Sequence, residues 1–329
     1  MRTPLTVGVV GLGPHGLELA RVFEELPDAE LRWTCDASRE ALRNASGRHP
    51  SAFASRAIDD LLADEALDAV AIASASSSHA ELVARCLEAQ KHVLVQQPLA
   101  VSGAVADGLL ALAQQRHRRL MVSNPLLFQP AMRKLKELID LGRLGDVYYI
   151  AATAQTSPAA GEDSILWSVG VGMVHALLHL VEDEPVASVV RADAYARPGT
   201  LEVASCWFRF ATGITATAQL SWLDARETIR LSVVGSRRTA VLDARALDRR
   251  LTVFERHGPI ICPRLPAADP LRIECESFVS RIRAAGELPA PHGAAAAVAI
   301  VEELEHAATA DDAPAAHLPP RPRLELVRP

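Results

Sequence analysis

Lysine is nearly absent from this chain of 329 residues, which has Lys91, Lys134 and Lys136 and no others. Arginine carries the positive charge instead; 34 Lys and Arg against 40 Asp and Glu leave a formal charge of -6 and a pI near 6.0. That balance offers no basic field to gather phosphate backbones or an anionic membrane surface, so neither nucleic acid nor membrane is an expected partner. Long apolar runs are missing too. Stretches such as Ala294 to Val301 fall well short of the roughly 20 residues that span a bilayer. The five cysteines, Cys35, Cys86, Cys206, Cys262 and Cys275, form no close pair. This excludes a zinc knuckle or a redox dithiol and suggests reduced thiols and a cytoplasmic location. After Arg2 the start is apolar, yet it runs straight into a glycine loop with no small-residue cleavage site. It reads as a first strand, not as a secretory signal.

The remaining composition, 49% hydrophobic and 22% charged, is that of a folding globular chain with room for two cores. Residues 5 to 10 form a valine-rich strand, Gly16 to Glu25 a helix, Leu31 to Cys35 a second strand and Ser38 to Ala45 a second helix, which completes a βαβ unit. The alternation continues through strands Ala69 to Ala73, His92 to Val95 and Arg119 to Val122, with helices His79 to Ala89 and Val101 to Gln115 between them. Short apolar strands separated by helices imply a doubly wound parallel sheet.

The rhythm changes after Pro125. A helix from Ala131 to Leu141 precedes strands Val147 to Thr156, Val186 to Ala196, Leu201 to Phe210, Thr215 to Trp222, Glu227 to Val234 and Ala240 to Asp243. Strands in unbroken succession predict a largely antiparallel open sheet. Helices Cys275 to Ala284 and Ala294 to Ala308 follow. The expected fold is therefore α/β: a doubly wound domain over 1–124, an α+β domain over 125–310, and a proline-rich tail over 311–329.

Gly11-Leu12-Gly13-Pro14-His15-Gly16 follows the first strand and opens the first helix. Glycines at this spacing let the backbone turn, approach a pyrophosphate and pack helix against strand, with free helix N–H groups facing the phosphates. Asp36 ends the second strand, where a carboxylate accepts from an adenosine ribose and repels a 2′-phosphate; NAD(H) is the expected cofactor. Ala37 adjoins it. Arg39, three residues beyond Asp36, supplies the alternative of NADP(H).

Further segments, Asp68-Ala69-Val70 through Ser78-His79-Ala80-Glu81, Gln90-Lys91-His92-Val93, the helix from Pro130 to Ile139, Gly145-Asp146-Val147 and Val234-Gly235-Ser236, occur in the order and spacing of the Gfo/Idh/MocA oxidoreductases. From about residue 5 to residue 310 the chain resembles that family. The resemblance implies a Rossmann domain, homo-oligomers formed through the C-terminal sheet, and a cofactor lined also by Ser74, Ala75, His79, Gln96, Gln97 and Asn124. The family's strand-end Glu-Lys-Pro is here Gln96-Gln97-Pro98, which replaces a titrating amine with an amide. None of the three lysines lies in a segment expected to reach the hydride-transfer point.

The family's Asp-x-x-x-His aligns with Val171-Gly172-Met173-Val174-His175, so the resemblance gives His175 and Gln97 the catalytic positions. Val171 and Leu178 stand where acidic residues are common, and Asn124 to Phe128 lacks an arginine often found between the domains. With Leu127, Trp167, His179 and Trp222 as further candidate lining, these replacements predict a pocket more apolar than one built for polyhydroxylated sugars. His175 and His179, four apart on one helix face, have the spacing of a metal pair but no evident third ligand, and no metal is expected. Two functions follow from the same residues. One is an NAD(P)-dependent oxidoreductase that reduces a carbonyl- or imine-type small molecule; the other is a redox-inactive, dinucleotide-binding sensor.

Overall fold

The computed structural model describes residues 3–158, 164–246, 248, 250–255, 257–284 and 293–310; the expected proline-rich tail lies outside them. The first half runs β1 (Leu5–Val10), α1 (Pro14–Glu25), β2 (Ala29–Cys35), α2 (Arg39–Arg48), β3 (Phe53–Ser55), α3 (Ile58–Leu62), β4 (Ala69–Ile72), α4 (Ser76–Glu88), β5 (His92–Gln96), α5 (Gly103–Gln115) and β6 (Leu120–Ser123). Its six strands are parallel in the order β3-β2-β1-β4-β5-β6. β4 and β6 are buried at every position, as strands covered on both faces must be. The strand order reverses between β1 and β4, which opens a crevice at their carboxyl ends, the usual ligand position in such sheets. β3 and α3 are absent from the sequence reading because three and five residues are too few to display a period.

The second half contains α6 (Pro125–Phe128), α7 (Pro130–Asp140), β7 (Val147–Gln155), a π-helical turn (Leu166–Gly170) and α8 (Val171–Val181). It continues with β8 (Pro185–Asp193), β9 (Val203–Phe210), β10 (Thr215–Ser221), β11 (Thr228–Gly235), β12 (Arg238–Asp243), β13 (Leu251–Glu255) and β14 (Ile260–Ile261), then α9 (Pro270–Arg283) and α10 (Ala294–Ala310). The eight strands lie in the order β14-β13-β12-β11-β7-β10-β9-β8. All pairs are antiparallel except the central β7 and β10. One sheet face, with Ile150, Ala152, Phe208, Ala218 and Leu231, belongs to the core that includes α8 and α10. The other is open: Val189, Trp207, Thr217, Ala151, Ser232 and Val241 sit in register across it.

The last two helices tie the halves together. Cys275, Phe278 and Val279 of α9 join the cluster of Leu5, Val7, Val9 and Phe23, so a helix expected in the second domain packs on the first. α10 lies against both α8 and α5. There the Gly103 N–H donates to Glu302 Oε2 at 2.7 Å, and a Cβ at Gly103 would come within 2.7 Å of the Ala299 methyl.

Candidate dinucleotide and catalytic site

The glycines of the first loop do three different things. Gly11 has φ +86°, and a Cβ there would lie 2.5 Å from the Ser74 backbone nitrogen. A Cβ at Gly16 would overlap the Gly11 carbonyl oxygen, so α1 and the turn pack at backbone contact. Gly13 is the opposite case: a Cβ there would meet nothing within 4 Å. Gly13 caps α1, and Pro14, which has no N–H to satisfy, starts the helix. The space beside Gly13 at this helix start is therefore open, and a helix N-terminus with free amides is a place where an anion such as a pyrophosphate can be held.

Asp36 stands at the edge of that cradle. Its Oδ2 accepts from the Leu12 N–H and its Oδ1 from the Ser38 N–H, both at 2.7 Å, which fixes a carboxylate beside the loop where an adenosine ribose would lie. Ala37 and Arg39 are exposed. Arg56, absent from the sequence-based expectations, donates to the Ala37 carbonyl at 2.9 Å. His15 is half-buried; burial pushes its ring toward the neutral form, and its Nε2 is buried without a partner.

Ser74 and Ala75 form the turn from β4 into α4, held by Ser74 Oγ against Ser78 Oγ at 2.8 Å. His79 lies behind this turn and not along the open face expected for a cofactor residue. It is 1% exposed, with Nδ1 2.7 Å from the Pro98 carbonyl and Nε2 2.9 Å from the Ser74 carbonyl. A neutral ring donates to only one of the two. Burial drives the ring toward that neutral form, while the two carbonyls oppose it. Either way His79 links the turn after β4 to the one after β5.

Gln96 ends β5 and pairs with Ser123 of β6. Gln97 follows, joined to Pro98 by a cis peptide. Its side chain leaves the dinucleotide domain and lies on α8, where a Cβ at Gly172 would overlap its Nε2. Its Oε1 is buried without a partner. His175, three residues beyond Gly172 and so on the same helix face, is 3% exposed, and its ring packs beside Gly293.

Asn124 is buried at the crossing between domains. It reaches α8 through Nδ2, which donates to the Gly172 carbonyl at 3.1 Å. Leu127, Trp167 and His179 are half-buried. Trp222 is buried, with the Arg197 guanidinium 4.8 Å above its ring. Val171 and Leu178 are buried in a core cluster that spans both halves. Among the described residues no group of His, Cys, Asp and Glu is arranged to hold a metal ion, and no helix is long and apolar enough to cross a membrane.

Sequence reasoning missed Glu274. It is fully buried on α9, accepts from Ser123 Oγ at 2.8 Å and from the Asn124 N–H at 2.7 Å, and burial pushes its carboxyl up to about 7. A glutamate on a helix with charged neighbours reads as a solvated face.

The site thus places an open helix N-terminus and the Asp36 carboxylate at one end of the crevice, and the Gln97 amide and His175 imidazole at the other. A family model described as an NAD-binding Rossmann fold of oxidoreductases matches residues 5–124, and one for the Gfo/Idh/MocA C-terminal domain matches residues 132–241. The myo-inositol 2-dehydrogenase of Thermotoga maritima is 25% identical over 267 residues, 78% of this chain and 74% of that one. The UDP-N-acetylglucosamine 3-dehydrogenase of Acidithiobacillus ferrooxidans is 25% identical over 293 residues, 85% of this chain and 89% of that one. Matches to several other relatives span about half of their length. An oxidoreductase of Agrobacterium radiobacter, solved with NAD+, L-tartaric acid and magnesium, has the same fold, with a TM-score of 0.82 at 18% identity over 93% of this chain and 97% of that one. Both halves of the chain match one family in order, around a loop that fits a dinucleotide, and the chain belongs to the Gfo/Idh/MocA family of oxidoreductases.

Proposed function

We propose that the protein is an NAD(H)-dependent oxidoreductase that reduces a carbonyl- or imine-type small molecule in a relatively apolar pocket, with Gln97 and His175 at the reacting atoms. The observation that carries this reading is the Gln97 side chain, set on α8 with a buried, unpartnered Oε1. A buried acceptor without a partner is costly, and a nicotinamide carboxamide or a substrate N–H would satisfy it. The bound dinucleotide supplies the hydride. Gly11, Gly13 and Gly16 shape the cradle that would hold its pyrophosphate, and Asp36 favours the ribose of NAD(H) over the 2′-phosphate of NADP(H), with Arg39 as the residue that would serve the alternative.

Carbonyl reduction builds negative charge on oxygen, which calls for a donor or acid beside it. The Gln97 amide N–H can donate but cannot titrate, so the proton falls to His175. An imine asks less, because its nitrogen carries the proton already. Val171 and Leu178, where relatives of this family commonly have acids, support a substrate less hydroxylated than those for which the inositol and UDP-sugar dehydrogenases are named. The open sheet face supports a homo-oligomer, and five free thiols support a cytoplasmic setting.

The absence of a titrating side chain at position 97 supports a second reading, a dinucleotide-binding sensor without turnover. Assaying the protein with NADH and NADPH against carbonyl and imine panels, and with the oxidised cofactors against alcohols and amines, separates the two. Turnover that falls roughly 100-fold in His175→Ala with dinucleotide affinity unchanged is the expected result. Tight NADH binding with no hydride transfer to any substrate favours the sensor, and NADPH bound at least about tenfold tighter than NADH overturns the role given to Asp36.

A further inference from the structure

Glu274 is a fully buried carboxyl with no cation facing it among the described residues. Such a group is a poor way to fill a core, since an apolar side chain of the same volume packs there without desolvation cost. Both of its oxygens are committed to one place. Oε2 takes the Ser123 hydroxyl and Oε1 the Asn124 N–H, the end of β6 and the residue after it, where the chain leaves the dinucleotide domain. Ser123 both donates and accepts, so the contact suits a neutral as well as an ionised carboxyl.

Asn124 carries this grip across the domain boundary. With its backbone held by Glu274, its side chain donates to the Gly172 carbonyl in the first turn of α8. The α-carbon of Gly172 is the surface on which the Gln97 amide rests. Three contacts therefore run from α9 to the end of β6, from there to α8, and from α8 to Gln97. Each joins elements distant in sequence, and the route ends at the side chain whose own Oε1 has no partner.

We propose that Glu274 and Asn124 are positioning residues for Gln97: together they hold α8 at the distance from β5 that sets the Gln97 amide at the nicotinamide end of the crevice. This rests on the reading of Gln97 given above. The adenosine end, built from the glycine loop and Asp36, makes none of these contacts, so the effect is confined to one half of the dinucleotide.

Calorimetric titration of the full chain with NADH and with ADP-ribose, which lacks the nicotinamide, tests this. Glu274→Gln keeps both contacts, its carbonyl accepting from Asn124 and its amide donating to Ser123, and is expected to bind both ligands within about twofold of wild type. Asn124→Ala and Glu274→Ala are expected to weaken NADH about tenfold while ADP-ribose stays within about twofold, and the double variant is expected to be no worse than the poorer single one. Equal losses for the two ligands, fully additive losses, or a Glu274→Gln variant as poor as Glu274→Ala would overturn the proposal. Should Glu274→Ala not fold, Asn124→Ala decides: unchanged NADH binding overturns the proposal. Wild type that binds neither ligand overturns the dinucleotide reading itself, a failure distinct from wild-type binding that the variants leave untouched.

Discussion

Gln97 and Gly172 meet across the two domains with no room between them for a methyl group. The atom in the way is the end of a flexible side chain and not backbone, which separates stability from function at this position. Gly172→Ala gains helix propensity worth up to ~1 kcal/mol, and the Gln97 amide can swing aside to admit it. We expect a melting temperature equal to or above that of wild type, together with about tenfold weaker NADH binding and unchanged ADP-ribose binding. A variant that melts early and binds NADH normally would reduce the contact to packing.

Gly13 and Gly16 should behave in opposite ways under the same substitution. At Gly13 a methyl group points into open space, so Gly13→Ala is expected to leave stability within about 0.5 kcal/mol of wild type and to weaken every dinucleotide by intruding on the pyrophosphate. At Gly16 the methyl group meets the Gly11 carbonyl oxygen, where neither backbone can yield. Gly16→Ala is expected to lose on the order of 2 kcal/mol or more in denaturant melts. Equal melting of the two variants would contradict the close approach of α1 and the turn.

The contrast between these glycines also marks what the sequence could disclose. The spacing of Gly11, Gly13 and Gly16 and the position of Asp36 announce a strand, a turn and a helix in local order, and the alternation up to Val122 reveals the parallel sheet. The sequence pattern does not reveal partners that come from far along the chain. His79 lies in the first turn of α4, yet both of its nitrogens face backbone carbonyls, a role set by where β5 ends. α9 looks like part of the second domain because it follows the second sheet, and only packing returns it to the core of Leu5 and Phe23. β14, with two residues, is too short to display a period.

Glu274 gives a pH dependence of defined sign. Burial raises its carboxyl from 4.5 to about 7 in the folded chain, so its contribution to stability is full below about pH 4.5 and is lost as pH rises through about 7. Glu274→Gln has the neutral form's contacts at every pH. Between about pH 5 and about pH 8 wild type should therefore lose on the order of 2 to 3 kcal/mol relative to the variant, the variant being the more stable at the alkaline end. Urea melts of both proteins at several pH values measure this, and a constant difference would contradict a raised pKa.

The open face of the second sheet carries Tyr149 and Val189, about half exposed at 46% and 51%, with Trp207 in register with Val189. Unpaired aromatic and β-branched surface of this kind is the usual core of an interface. Light scattering should give wild type a mass that is a multiple of 35.3 kDa, and Tyr149→Asp combined with Trp207→Asp should return it to the single chain without unfolding it. A wild-type monomer at micromolar concentration would remove the oligomer from the proposed function.

A lysine at position 97 would restore the family's usual amine without its usual carboxylates. A lysine here would end in the half-buried position of Gln97, against α8, where burial disfavours the ammonium form and moves its pKa down. Val171 and Leu178 offer no carboxylate to balance it, so Gln97→Lys alone is expected to give little or no oxidation of polyols such as myo-inositol. Val171 adjoins Gly172 at the start of α8, so a carboxylate there would place a negative charge close to an ammonium at position 97. Gln97→Lys combined with Val171→Asp should therefore raise polyol oxidation with NAD+ at least about tenfold above either single variant. Reduction of carbonyl or imine substrates should fall in both lysine variants, because a cation then opposes a cationic imine and the Gln97 donor is lost. Recovery in Gln97→Lys alone equal to that of the double variant would show that the pocket is not limited by its missing carboxylates. Wild type that already oxidises polyols, and loses that activity when lysine is installed, would overturn the apolar pocket altogether.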